Sequence, residues 1–303
     1  MPHQAREGDG VPAHAGLRAG RAAGGGGLSA QPSIDVLYDA GAAAPGAGLT
    51  AAEQRYGGPL RFPDQPAPYL VTNFVGSIDG VVSLGKHDGT DASGISGYSP
   101  ADRFVMGMLR AAADVIVVGA RTLNDSPGHQ WTPEKVARGF GDELYAYRRA
   151  LGRPESPAPL VIVSGRGHLE DHVALTDPAV PTTVLTSQAR AGLEREFPRA
   201  RQLVAGGEGR IDGATLMQTL AREFGARLVL CEGGAALMGS LVGAGQVSEL
   251  FLTIAPRLAG RDAASERIGM VQSYAFESTE LQNYAVVSVR REDSTLLLRY
   301  RRG

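Results

Sequence analysis

The stretch Val115-Ile116-Val117-Val118-Gly119-Ala120-Arg121-Thr122 decides how the chain is read. Four β-branched apolar residues in a row, with no polar alternation, predict a strand buried on both faces, as in a parallel sheet covered by helices. Gly119 ends that strand with a residue lacking Cβ, so a ligand or another backbone can approach closely. Thr122 can cap a following helix and offers a hydroxyl at the same edge. Open α/β sheets bind ligands outside the carboxyl ends of their strands, which makes Gly119 and Thr122 the first place to look. An ordinary strand-to-helix turn reads the same way, so the stretch by itself establishes a strand and not a site.

Working outward, Tyr69–Val75 and Val81–Leu84 precede it as strand-like runs, and a Gly-rich polar loop spans 85–97. Ser99-Pro100-Ala101-Asp102 is a strong helix start, with serine as cap, proline in the first position and an acid in the first turn. Residues 123–158 form a polar excursion holding Trp131 and a helix from Pro133 to Arg149. Strands are then expected at Leu160–Ser164, Thr182–Thr186, Arg201–Val204 and Arg227–Cys231, with helices at Ser187–Phe197, Asp212–Phe224 and Ala235–Val242. Such alternation implies right-handed crossovers and a mostly parallel sheet. After Leu250–Ala255 the pattern changes to two alternating segments, Tyr284–Arg291 and Thr295–Arg301, expected as an antiparallel hairpin on the sheet edge. The expected architecture is one α/β domain of about eight strands with helices on both faces, starting near Pro68.

Upstream, residues 1–30 contain eight Gly, seven Ala and no aromatic residue, too little to offset chain entropy, so a disordered leader is expected. No run of seven or more apolar residues follows its basic positions, so no signal peptide is expected. Residues 31–67 read as an N-terminal extension, with a short element at Asp35–Tyr38, and then a Pro- and Gly-rich linker. A net charge of −2 gives no pull toward nucleic acid or anionic membrane. No run reaches the roughly 18 apolar residues of a membrane span. Cys231 is the only cysteine, which excludes an internal disulfide and a paired-thiolate zinc site and suits a reducing, cytoplasmic compartment.

Glu232-Gly233-Gly234 stands where a second buried strand meets a helix, and two glycines there expose backbone N–H groups to an anion. Paired with Gly119 across one crevice, they suit a dinucleotide pyrophosphate; alone they could equally serve close helix packing. There is no G-x-G-x-x-G fingerprint, P-loop or G-x-S-x-G elbow. Ser164-Gly165-Arg166 ends a third strand with a hydroxyl and a guanidinium that suit a 2′-phosphate, although Arg166 could also be one more solvated arginine. Asp102 in a first helical turn is either a cap or a functional acid. His87, His129, His168 and His172 lie in polar loops without metal spacing, so no metal site is expected.

In order, NFVGSIDG (73–80), SPADRF (99–104), LRAAADVIVVGART (109–122) and CEGG (231–234) resemble the reductase domain of the riboflavin-biosynthesis deaminase–reductase enzymes, of dihydrofolate reductase-like fold. The resemblance spans about 68–301 and is closest to stand-alone members without the deaminase half. It implies NADPH held by Gly119, Thr122, Ser164, Arg166, Glu232, Gly233 and Gly234. It implies a phosphorylated ribosylamino-pyrimidine held by Asn73, Ser77 and Arg103, with Arg110 a further candidate for its phosphate, and reduction of its ribosyl group to a ribityl chain. The proton source is expected to be Asp102 or Asp79. The resemblance also implies a homodimer. Deaminase-linked members carry lysine where this chain has Asn73, which leaves the exact pyrimidine open. The alternatives are a dihydrofolate reductase-like activity on a pterin and a non-catalytic NADPH-binding regulator.

Overall fold

The computed structural model describes residues 31–40, 48–85, 92–165, 169–187, 197–207, 209–262 and 265–303. Its centre is a ten-stranded mixed sheet. Strands β2 (Tyr69–Ser77), β3 (Val115–Gly119), β4 (Leu160–Val163), β5 (Thr182–Thr186), β6 (Arg201–Val204), β7 (Leu228–Cys231) and β8 (Val247–Ala255) run parallel to their neighbours in the order β8-β2-β7-β3-β4-β5-β6. The hairpin of β9 (Tyr284–Glu292) and β10 (Thr295–Arg302) adds antiparallel strands beside β8. All nine residues of β2 are buried, as expected of a strand flanked by parallel partners. On β8, buried and half-buried residues alternate, because one face there is less covered.

Helices lie on both faces. Helix α3 (Pro100–Ala112) starts at the Ser99 cap, whose hydroxyl accepts from Asp102 N–H, and buries Phe104, Met108 and Leu109 against one face. Helices α8 (Gly213–Phe224) and α9 (Ala235–Gly243) bury Leu216, Leu220, Leu237 and Leu241 against the other. The shorter helices are α1 (Ala51–Tyr56), α2 (Ala92–Ser96), α4 (Ala120–Asn124), α5 (Pro133–Val136), α6 (Gly141–Ala150) and α7 (Val173–Thr176). Among the described residues no helix is long and apolar enough to cross a membrane.

Several expectations are revised. Val81–Leu84 contributes only an isolated bridge, Ser83 to Ile268, and the helix expected from Pro133 to Arg149 is broken into α5 and α6. The hairpin is not the sheet edge. A further strand, β1 (Asp35–Asp39), pairs antiparallel with β9 and takes that place. The short element expected at Asp35–Tyr38 is thus a strand of the sheet. Arg290 of β9 is buried, donates to Tyr56 O at 2.8 Å and to Asp39 Oδ2 at 2.6 Å, and so ties β1 and α1 to the sheet. The helix expected at Ser187–Phe197 falls on 188–196 and the leader on 1–30, both outside the described residues.

Candidate active site

Strand order creates the site. From β3 the chain moves on to β4, whereas from β7, which lies between β2 and β3, it passes to β8 on the far side of β2. Connections that leave neighbouring strands in opposite directions open a crevice at their carboxyl ends. Gly119 and the Glu232-Gly233-Gly234 turn stand at that point. The Gly119 N–H donates to Gly233 O at 3.0 Å, and the Glu232 N–H donates to Val117 O at 3.1 Å. Gly233 and Gly234 have φ of +115° and +60°, and a Cβ on Gly233 would lie 3.3 Å from Thr122 Oγ1. Both positions thus need glycine. No side chain caps α9, and its first intrahelical N–H bond comes from Met238, to Gly234 O. The earlier N–H groups are left for another acceptor.

These turns line a cavity of about 460 Å³ together with Asn73–Val75 in the middle of β2, Val82–Gly85, and the wall Asn124–Pro127. A cavity of about 520 Å³ elsewhere, lined by Asp171, His172 and Arg199 among others, contains none of the expected site residues. Of these expected residues, Asn73, Thr122, Glu232, Gly233 and Gly234 line the smaller cavity, with Gly119 directly behind the turn. Ser164 is buried one strand over at the end of β4, next to the position paired with Gly119, and does not line it. Arg166 lies outside the described residues.

Ser77, Asp79, Asp102 and Arg103, expected on the substrate side, do not line this smaller cavity, and their surroundings differ. Ser77 donates to Asp79 Oδ1 at 2.6 Å and accepts from Val81 N–H at 3.0 Å, so it builds the 77–81 turn and is not directed to a ligand. Asp79 accepts from the N–H groups of Ala259 and Gly260, at 3.0 and 2.7 Å. These bonds, with that from Ser77, hold its carboxyl well below the usual carboxylate range. Asp102 is the opposite case. Burial pushes its pKa up to about 6, against a hydrogen bond with Thr253 and the charge of Arg103. Arg103 is half-buried, with its guanidinium 5.0 Å from the centre of the Tyr98 ring.

Arg110 is also corrected. Its side chain is 1% exposed and holds both carboxylate oxygens of Glu232, Oε1 at 2.8 Å and Oε2 at 2.6 Å, so it does not present a charge to a substrate phosphate. Its place in the last turn of α3 aims it at the end of β7, which no local pattern could reveal. The wall residues Asn124–Pro127 and the Val82–Gly85 segment were missed as well, because they are polar or irregular and follow no periodicity. Cys231, directly before Glu232, is fully buried and its thiol is pushed up to about 12 by desolvation, consistent with a packing role.

Comparison with known proteins points the same way. The chain is 29% identical over 200 residues to the 2,5-diamino-6-ribosylamino-4(3H)-pyrimidinone 5′-phosphate reductase of Methanothermobacter thermautotrophicus, covering 65% of this chain and 82% of that one. It is 28% identical over 243 residues to the riboflavin biosynthesis protein RibD of Escherichia coli, of which it spans 58%. Among solved structures, Acinetobacter baumannii RibD superposes with TM-score 0.60 at 20% identity, over 78% of this chain and 59% of that one. A pyrimidine reductase-like protein of Corynebacterium diphtheriae gives 0.57 at 20% identity, over 78% and 92% of the respective chains. These likenesses show the α/β fold expected from the sequence. With residues 68–290 matched by the model of the RibD C-terminal domain, most of the sheet and every turn around the cavity lie inside the match, and the chain belongs to that family.

Proposed function

We propose that this protein is an NADPH-dependent reductase of riboflavin-biosynthesis type, converting the ribosyl group of a phosphorylated 6-ribosylaminopyrimidine to a ribityl chain. The observation that carries this is the direct contact between the Gly119–Thr122 and Glu232–Gly234 turns at one cavity mouth. A dinucleotide fits that arrangement, because glycine backbone and the uncapped start of α9 meet there without Cβ atoms in the way. Gly119, Thr122, Gly233 and Gly234 would hold its pyrophosphate region, with Ser164 and Arg166 at the adenosine end. When bound, NADPH supplies the hydride for C1′ of the ring-opened imine form. The chain supplies position and a proton. Asn73 lies in the cavity wall to orient the pyrimidine, and Arg103, the other expected arginine once Arg110 is committed to Glu232, would take the phosphate. Asp102, whose pKa near 6 leaves part of it protonated close to neutral pH, is the source of the proton taken up by the imine nitrogen as hydride reaches C1′.

The direct test is NADPH oxidation with 2,5-diamino-6-ribosylamino-4(3H)-pyrimidinone 5′-phosphate, its deaminated counterpart and dihydrofolate. Turnover of either pyrimidine supports the assignment. Turnover of dihydrofolate alone selects the pterin alternative, and binding of NADPH without consumption selects the regulator. Arg166→Ala should weaken NADPH more than NADH, and equal losses would remove Arg166 from the 2′-phosphate. The cytoplasm is the compartment this chemistry suits. A homodimer is proposed through β1, the outermost strand among the described residues, where Val36, Leu37 and Tyr38 are 43%, 52% and 51% exposed. Sedimentation of the Leu37→Lys/Tyr38→Lys variant as a monomer would support it, and an unchanged dimer would move the interface elsewhere.

A further inference from the structure

Arg110 has more partners than an ion pair needs. Besides the fork on Glu232, its Nη1 donates to Gln130 O at 3.1 Å and Thr132 O at 3.2 Å. Its Nη2 lies 2.9 Å from His129 Nε2, which must accept there because a guanidinium only donates. The guanidinium thus joins two separate walls of the cavity. One is the Glu232-Gly233-Gly234 turn. The other is the segment running from Asn124 to Thr132, whose Ser126 and Pro127 line the cavity.

That second wall is buttressed behind. Trp131 is buried between the rings of His129 and His172, at 4.7 and 5.7 Å. His172 Nδ1 accepts from Ala174 N–H, so its Nε2 carries the hydrogen donated to Ser126 O at 2.8 Å. Glu170, also at the cavity, gives its N–H to Asn124 Oδ1. Besides the chain itself, which runs from Thr122 into this wall through α4, Arg110 bonds the wall to the glycine turn.

A buried ion pair is poor value as plain stabilisation, since apolar residues of similar volume often do as well or better. Its special property is directional: a planar fork fixes the carboxylate, and with it the backbone of the next two residues. We propose that Arg110 is a positioning residue that sets the Glu232-Gly233-Gly234 turn against Gly119 and clamps the Asn124–Thr132 wall to it, so that the dinucleotide and pyrimidine sides of the cavity share one fastening. This rests on the dinucleotide assignment made above.

Three variants test it: Arg110→Lys, which keeps charge without the fork; Arg110→Met; and Arg110→Met/Glu232→Gln, which leaves no buried charge uncompensated. NADPH affinity by fluorescence, KM and kcat for the pyrimidine phosphate, and thermal midpoint are measured on each. The lysine and double variants should melt within a few degrees of the unaltered protein, yet bind NADPH at least tenfold more weakly, with KM raised more than kcat is lowered. Arg110→Lys should recover part of what Arg110→Met loses. A purely structural role would instead lower the midpoint and leave affinity within twofold in whichever variant folds, and that result overturns the proposal. If the unaltered protein binds no NADPH, the dinucleotide assignment itself falls and takes this inference with it.

Discussion

The Asp102 carboxyl is buried where ionisation is costly, and its pKa moves up to about 6 for that reason before any other. A carboxyl raised in the folded state takes up protons on folding, so its contribution is complete below the ordinary carboxylate pKa and is lost as pH rises through about 6. Asp102→Asn should therefore match the unaltered protein near pH 4 and exceed its stability near pH 8 by on the order of 2 kcal/mol, while turnover falls sharply. Melting curves across that range check the first half; a stability difference independent of pH would show that Asp102 is not destabilised by its charge. Asp79 shows the opposite sign. Its carboxyl is held low by three donors, so the stability it supplies is present at neutral pH and lost as pH falls below the usual carboxylate range. Asp79→Asn should lower the melting temperature at neutral pH, with the deficit shrinking in acid. Two aspartates, near-equivalent as letters, acquire different chemistry only from what surrounds them.

At the level of the element, what matters is how strands end. Gly233 sits at φ +115° with Thr122 Oγ1 3.3 Å from where a Cβ would be. Gly233→Ala should cost roughly 1–3 kcal/mol of stability, since an L side chain strains that conformation, and should weaken NADPH binding at least tenfold. Gly207→Ala, at a position with nothing within 4 Å and no left-handed φ, is the neutral control. Equal binding by both variants would take the turn out of the site. The glycine breaks themselves were legible at once, because a run such as VIVVG or LVLCEGG can end only at a turn that tolerates a missing side chain. That the two breaks touch, through Gly119 N–H and Gly233 O, depends on β7 being inserted beside β3, and no local pattern encodes that neighbourhood. The same holds for Arg110: an arginine in the last turn of a helix reads as a solvent-facing or phosphate-binding cation until the strand end beneath it is known.

For the whole molecule the N-terminal segment goes further than its sequence suggested, since the short element at Asp35–Tyr38 joins the sheet as β1. Arg290 is nearly inaccessible, with its guanidinium 3.7 Å from the centre of the Tyr56 ring and bound to Asp39. Removing the carboxylate leaves a buried cation, so Asp39→Ala should destabilise by about 3 kcal/mol. A chain beginning at Pro63 also loses the buried Ala52, Tyr56 and Leu60, and should no longer unfold cooperatively, whereas one beginning at Gln31 should. Urea denaturation distinguishes these outcomes, and a cooperative, equally stable truncation at Pro63 would return residues 31–62 to the status of a linker.

The order of apolar runs, glycine breaks and helix caps in the sequence by itself determined the α/β class, the parallel centre, the closing hairpin and the set of strand ends where a ligand could bind. These are matters of period and local backbone preference, which nearby residues control. Only the tertiary structure decided which strand ends adjoin, that β1 covers the hairpin, and that Arg110 is bonded to Glu232 and Ser77 and Asp79 to the turns at 77–81 and 259–260, while Asp102 keeps a raised pKa. Pairing across long stretches of chain and the loss of water around a charge depend on everything packed nearby, and no window of sequence contains that.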